Sequence, residues 1–371
     1  MPDTRPGIFL DEEGICSGCH GYHDKTTTID WRDRALKFEQ LISWAKNKST
    51  TYDCIIPVSG GKDSWYQVIK AKEANLKVLC VTWKTPGRTD IGQKNLDALV
   101  AKLNVDHIDF TIDPEVEKKF MIASFERKGA TGIPMHLAIF SIPMRLANQF
   151  KIPLVIWGEN PQLEYGQPTD IEKDTILDRD WNEKNGGYFL DKIKPQDMTE
   201  YGFDLNDLKP YLYPTDEEVR KVGVTGVFLG SYIKWDIFKQ LELVKTLGFS
   251  ENEENKEGTY NKWENLDVYF TVFHDYFKFL KYGFGRTTDH VSIEMRYGRM
   301  TRERGIELVK EYEGKIPRKY LKEFLEAAEI SENKFHEICD KFTNKELFQT
   351  DQDGNLLKDK DGNLTLKNEI L

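Results

Sequence analysis

The 371-residue chain is 39% hydrophobic and 12% aromatic, enough to bury a sizeable core in one large domain with appendages or in two domains. Its formal net charge of -10 excludes a global basic field for nucleic acid or an anionic membrane surface, and leaves open only a local basic groove. No apolar run is long enough to cross a membrane, the first residues lack a secretory pattern, and five cysteines fit a reducing cytoplasm rather than a disulfide framework.

Residues 1 to about 30, rich in Gly, Asp and Thr and containing "CSGCHGYH", read as an irregular lobe without a core of its own. From about 31 to 158 the pattern alternates: "WRDRALKFEQLISWAKN" as helix, "DCIIPV" as strand, "DSWYQVIKAKEAN" as helix, "KVLCVTW" as strand, "DIGQKNLDALVAKLN" as helix and "HIDFTI" as strand, then two helical stretches and the strand "PLVIW". Near-continuous apolar strands between helices predict an α/β fold with a doubly wound parallel sheet covered on both faces. Residues 159–235 are irregular and rich in Tyr, Asp and Pro, which points to a functional insertion within a 31–235 domain. Residues 236–345 are mostly helical, and 346–371 repeat Asp-Gly-Asn with a period of eight, as in two tight turns of a hairpin tail. Gly354 and Gly362 come too early for calcium loops of the EF-hand type.

The stretch "IIPVSGGKDSWYQ" runs from a strand through two glycines into a helix, which aims several backbone N–H groups at whatever sits before the helix, and an anion is stabilised there. It is not a Walker A loop, because Gly61-Lys62 is followed by Asp63, nor is it the dinucleotide fingerprint. A plain strand-to-helix turn capped by Asp63 or Ser64 is the competing reading for the two glycines alone. Two carboxylates in "GENPQLEYG", Glu159 and Glu164, follow an apolar strand at the carboxyl edge of the sheet, where open α/β sheets bind ligands. They can bind magnesium, position ammonia or accept its proton, or else cap a turn and stay solvated. Arg286, Arg296, Arg299 and Arg302, interleaved with Asp289 and His290, suit phosphate and carboxylate, or form a charged helix face paired with Glu294, Glu303 and Glu307. Cys16 and Cys19 are one half of a tetrahedral zinc pattern with His20 and His23 near, or two ordinary thiols. Cys54, Cys80 and Cys339 lie in apolar patterns and read as core.

"SGGKDS" resembles the pyrophosphate loop of the N-type ATP pyrophosphatases, the PP-loop enzymes that cleave ATP between the α- and β-phosphates and adenylate a carbonyl oxygen. The resemblance implies that Ser59, Gly60, Gly61, Lys62, Asp63 and Ser64 hold the β,γ-pyrophosphate with Mg2+, and that strand ends, Trp83 among them, flank adenine, with Gly158 also toward the nucleotide. Three further strings, "WGENPQLEYG", "GFGRTTDHVSIEMRYGRMTRERGIELV" and "MPDTRPGIFLDEEGICSGC", together resemble the N-acetyl sugar amidotransferases of surface-polysaccharide and flagellin-glycan biosynthesis. That resemblance runs to about residue 345 and leaves the hairpin tail uncovered. It implies conversion of a sugar N-acetyl group to an acetamidino group, with ATP and with ammonia from a partner glutaminase. The acceptor is a nucleotide-linked or free N-acetyl sugar acid, and nucleic acid and membrane are not partners. On this reading Lys62, Asp63, Glu159, Glu164 and Arg286 act in the chemistry, while Asn160, Tyr165, Asp289, His290, Arg296 and Arg299 hold the acceptor. That family carries a further cysteine pair upstream of "MPDTRP", which is absent as written, so a structural zinc at Cys16 and Cys19 needs His23 or a distant group to complete it, and otherwise the pair is two buried thiols. The alternatives are a PP-loop tRNA thiolation enzyme, which needs an accessible cysteine and a basic surface, and a nucleotide-binding module without chemistry.

Overall fold

The computed structural model describes residues 1–166, 176–185 and 194–367. Five parallel strands form one sheet: β1 (Cys54–Pro57), β2 (Val78–Trp83), β3 (Asp106–Phe110), β4 (Leu154–Trp157) and β5 (Thr225–Phe228), in the order β3-β2-β1-β4-β5. The strand order reverses between β1 and β4, which opens a crevice at their carboxyl ends. The expected α/β doubly wound fold is the one observed.

Strand side chains alternate between two cores. Cys54 and Ile56 of β1 pack with Phe38, Trp65, Val68 and Val244 on one face. Ile55 packs with Leu79, Phe120, Ile142 and Val155 on the other. Covering helices form where caps and apolar spacing coincide. Asp30 accepts from the N–H groups of Arg32 and Asp33 at the start of the Trp31–Lys48 helix, which buries Phe38, Ile42 and Ala45 at i, i+4 and i+7. The Lys62–Glu73 helix buries Trp65, Val68 and Ile69 in the same way. β3, "DHIDF", is the polar outer strand, in keeping with an edge that must resist pairing with other chains.

Two stretches differ from the sequence-based expectation. The segment 159–235 is not irregular throughout, because it ends in β5, which pairs with β4 from Leu154↔Thr225 to Trp157↔Phe228. The first 30 residues contain a helix, Ser17–Thr27, which lies against the short Pro161–Tyr165 helix. Gly18 permits that approach: a Cβ on Gly166, whose φ is +77°, would lie 2.1 Å from the Gly18 Cα.

The C-terminal helices build a third core rich in phenylalanine, and Phe125 of the Pro114–Lys128 helix enters it with ring centroids 5.1 Å from Phe277 and 5.2 Å from Phe324. The tail makes the two expected tight turns, closed by Thr350↔Leu356 and Lys358↔Leu364, with Phe348↔Leu366 joining its ends.

Gly166→Ala is expected to lower the urea midpoint by more than Gly202→Ala does. Both glycines have positive φ, which costs any L side chain about 1–2 kcal/mol, and only Gly202 has open space around its Cβ position. Equal losses would mean that the Gly18 contact contributes nothing.

Candidate functional site

The loop after β1 is shaped for an anion. Gly60 has φ +87°, and a Cβ there would come within 2.7 Å of the Gly92 carbonyl oxygen and 2.9 Å of the Leu96 nitrogen, so only glycine fits. The Ser59 N–H donates to Ser64 Oγ at 2.9 Å, which folds the loop onto its helix. Gly61 is the N-cap of the Lys62–Glu73 helix and offers no side-chain acceptor, leaving first-turn N–H groups for a ligand. Lys62 is buried, with Nζ 2.9 Å from Asp63 Oδ2 and 2.8 Å from Glu264 Oε1, and 4.8 Å from the centre of the Trp263 ring. Burial alone would depress the ammonium, but the two carboxylates hold it charged and above the usual lysine range. Asp267 lies near Ser59, and its carboxyl is pushed up by burial.

The loop after β4 faces it. Cys54 pairs with Leu154 and Ile55 with Val155, so Ser59 and Glu159 lie at equal distances beyond paired strand positions. Glu159 accepts from the Tyr165 hydroxyl at 3.3 Å, and its carboxyl is raised to about 8 by burial and then by the neighbouring Asp63, against the pull of Lys62. Burial keeps the Tyr165 phenol protonated, as a donor needs to be. Asp63 also rises, burial first, and its Oδ1 has no hydrogen-bond partner among the described residues.

Glu164 is differently placed. Lys25, almost fully enclosed, forms an ion pair with it and donates also to the Trp235 carbonyl and the Tyr297 hydroxyl, each at 3.1 Å. Asn160 caps the Pro161–Tyr165 helix and donates to Ser231 Oγ at 3.0 Å. A Cβ on Gly158 would collide with Gln67 Nε2 at 2.5 Å, so this glycine lets Gln67 reach under the loop.

The arginines go to separate elements, neither gathered on one ligand nor paired along one helix. Arg286 grips Asp275, with Nη2 2.9 Å from Oδ1. Arg296 Nη1 donates to the carbonyls of Gly18 at 3.1 Å and Glu164 at 3.0 Å, tying the N-terminal helix to the Glu159–Glu164 loop. Arg299 pairs with Asp236 away from the crevice, and Arg302 is exposed. Asp289 is held by Arg5 and by Lys278, the latter at 2.6 Å, and these cations overcome burial to keep it ionised. His290 Nδ1 lies 2.9 Å from Thr259 Oγ1 and 2.8 Å from Asn261 Nδ2, and burial lowers the ring to about 4, so it is neutral.

The expected zinc site is not formed. The Cys16 and Cys19 sulfurs are 3.6 Å apart and His20 is turned to Asp11 at 2.7 Å. Among the described residues no group of three or more His, Cys, Asp and Glu side chains is placed to hold a metal, whereas structural zinc needs four protein ligands. Magnesium suits the residues better. It keeps several waters and needs only one or two carboxylates beside substrate phosphates, and Asp63 on the loop has an Oδ1 without a hydrogen-bond partner among the described residues.

At the end of β2 lies a cavity of about 270 Å3 lined by Trp83, Glu117, Met121, Met135, Phe270 and His274 among others. Sequence reasoning missed Lys25, Glu264, Asp267 and Glu117. Glu264 and Asp267 do stand in a polar run, "NKWENLD", set among aromatics in a stretch without helical spacing, which was the available signal.

A doubly wound parallel sheet whose first strand ends in Ser-Gly-Gly-Lys-Asp-Ser, facing acids at the switch point, is the α/β arrangement that the pyrophosphate-loop resemblance implied. Residues 257–360 match the family described as LPS biosynthesis protein WbpG-like, C-terminal domain. The match runs past residue 345 and takes in the first turn of the tail, which Phe348 anchors in the third core. No curated protein matches. Among solved structures the chain is similar to the NMN synthetase from Francisella tularensis, at 16% identity and a TM-score of 0.32, covering 74% of this chain and 96% of that one. It is also similar to the NH3-dependent NAD synthetase from Campylobacter jejuni, at 16% identity and a TM-score of 0.28, covering 52% and 94%.

Lys25→Met should cost about 3–5 kcal/mol, because it leaves Glu164 buried and unpaired. Lys25→Met with Glu164→Leu should recover much of that loss in chemical denaturation. A double variant no more stable than the single one would show that Lys25 acts through its other two partners.

Proposed function

We propose that this chain is an ATP-dependent amidotransferase of surface-glycan biosynthesis, converting a sugar N-acetyl group to an acetamidino group with ammonia delivered by a partner glutaminase. The observation that carries this reading is the opposition, across β1 and β4, of an anion-binding loop and a carboxyl raised into the range of a working base. The match of residues 257–360 to a WbpG-like domain of LPS biosynthesis supports the glycan setting.

An amide carbonyl resists displacement of its oxygen. ATP supplies the adenylyl group that makes this oxygen a leaving group, with magnesium balancing phosphate charge. The protein's part is to hold and to move protons. Gly60, Gly61 and the first-turn N–H groups receive the pyrophosphate portion, and Lys62 exchanges carboxylate partners for phosphate oxygens as these arrive. The apolar cavity beside Trp83 receives the adenosine end. Ammonia attacks the activated carbon, and Glu159, steadied by Tyr165, takes the proton that the new C–N bond makes acidic. Arg286 offers positive charge for the developing anion while Asp275 fixes its fork. Glu164, Asn160 and Arg296 hold the loop in place and leave the chemistry to Glu159.

A thiolation enzyme needs an accessible cysteine at the loop. Cys54 and Cys80 are fully buried in β1 and β2, and burial pushes both thiols up, so neither serves. No helix among the described residues is long and apolar enough to cross a membrane.

Incubation with ATP, free ammonium and an acetamido sugar acid should release AMP and pyrophosphate, dependent on the sugar. ADP and phosphate as products would sink the assignment. Glutamine alone should not replace ammonium until a glutaminase is added. Glu159→Gln should lower kcat by about 10²–10⁴-fold with little change in thermal midpoint. Because the base must be ionised, the wild-type rate should rise with pH toward the Glu159 value of about 8, and a profile flat across that range would remove Glu159 from the role.

A further inference from the structure

One side of the cavity at the end of β2 is the start of the Ile133–Phe150 helix, which brings Thr131, Gly132, Pro134 and Met135 to the wall. Gly132 is the N-cap and no side chain caps this helix of 18 residues. The N–H groups of Ile133 and Met135 therefore have no intrahelical acceptor, while Pro134 has no N–H to satisfy. The positive end of the helix dipole opens on the cavity.

Two side chains on this wall are unengaged. Thr131 is 8% exposed, and its hydroxyl has no hydrogen-bond partner among the described residues. His274, on the Thr271–Tyr282 helix, packs on the same N-terminus: a Cβ on Gly132 would lie 3.0 Å from its Nδ1 and 3.2 Å from His136 Nδ1. His136 is committed, with Nδ1 2.7 Å from the Gly132 carbonyl oxygen, whereas His274 makes no hydrogen bond among the described residues. Burial lowers both rings first and Arg286 lowers each further, so positive potential from that arginine reaches this wall. The acids nearby oppose an anion little, because burial raises the Glu117 carboxyl to about 8 and Glu115 is exposed. A nearly buried polar group without a partner calls for an explanation such as a ligand. Backbone N–H, hydroxyl and imidazole N–H are donors that suit an oxyanion.

We infer that the N-terminus of the Ile133–Phe150 helix, with Thr131 and His274, forms a second oxyanion site, separate from the glycine loop, for a phosphate or carboxylate group of a substrate. The identity of the occupant rests on the amidotransferase reading above, under which two groups have this chemistry: the α-phosphate of ATP and the anionic group of the acceptor sugar. The glycine loop is assigned to the pyrophosphate portion, so either group needs donors of its own.

Calorimetric titration of the full chain in magnesium and saturating pyrophosphate, which fills the glycine loop, separates the two sources. AMP is compared with adenosine, and N-acetylglucosaminuronic acid with N-acetylglucosamine. In at least one pair the anionic member should bind about 10–100-fold more tightly, the worth of hydrogen bonds to a charged group, and that pair names the source. Thr131→Val and His274→Phe should each shrink the gap about tenfold, and Thr131→Ser, which keeps the hydroxyl, should preserve it. Pyrophosphate affinity is the control and should hold in all three. Amide hydrogen exchange at residues 131–136 of wild type should slow with the anionic member and not with its neutral counterpart, a readout that needs no variant. Gaps unchanged in folded Thr131→Val and His274→Phe, or exchange that ignores the anion, overturn the inference. No gap in either pair, with pyrophosphate still bound, removes the second site and leaves the ATP reading standing. If pyrophosphate fails to bind while a gap responds to Thr131 and His274, the loop assignment falls and this site remains.

Discussion

The parallel pairing of β1 with β4 is the constraint on which the site depends. The two strands are separated by some hundred residues and four intervening helices, yet Cys54 aligned with Leu154 puts the glycine loop and the Glu159 loop at one level of the sheet edge. A shift of pairing by one residue would carry each side chain of β4 to the opposite face and expose Ile156 or Val155 to the wrong core. The register is therefore held by burial on both faces, and the functional geometry inherits its rigidity from apolar packing rather than from the polar groups it displays.

Around that crevice, charge is distributed so that few groups are free to act. Lys25 engages Glu164, Arg5 and Lys278 engage Asp289, and Asp275 engages Arg286. These pairs are satisfied and deeply enclosed, conditions under which losing a partner is costly while the pair itself contributes little net stability. Glu159 is the exception: its hydrogen bond comes from a neutral phenol, no ion pair among the described residues holds it, and burial raises its carboxyl. Of two acids five residues apart, one is ion-paired and the other, among the described residues, is not, and a lysine 139 positions before the first makes the difference.

Much of the sheet was legible because local signals agree there. Apolar runs mark β1, β2 and β4, Asp30, Thr89 and Asp113 cap the helices they precede, and the glycine loop is contiguous. β5 was missed because "TGVF" is four residues in a stretch rich in Tyr and Pro, and its strand character comes from pairing with β4. The Ser17–Thr27 helix was missed because two glycines and two histidines give it poor intrinsic propensity, and contact with Gly166 stabilises it instead. The arginine pattern announced arginines but not their partners: Arg296 binds carbonyl oxygens, which no side-chain pattern reveals. Glu264 meets Lys62 across 202 positions, a contact with no local trace.

The segment that matches the WbpG-like domain is more than an appendage to the sheet. It carries Glu264, which binds Lys62, and Phe270 and Thr271, which line the cavity, and it continues to Arg286, which pairs with Asp275. Without residues 257–360 the glycine loop would lose the carboxylate that holds Lys62 from outside its own helix, and the cavity would lose one wall. The N-terminal residues close the opposite side, with Arg5 over the Tyr165 ring and Lys25 on Glu164. The parallel sheet is thus enclosed from both ends of the chain, and side chains that meet the glycine loop and the Glu159 loop come from those enclosing parts.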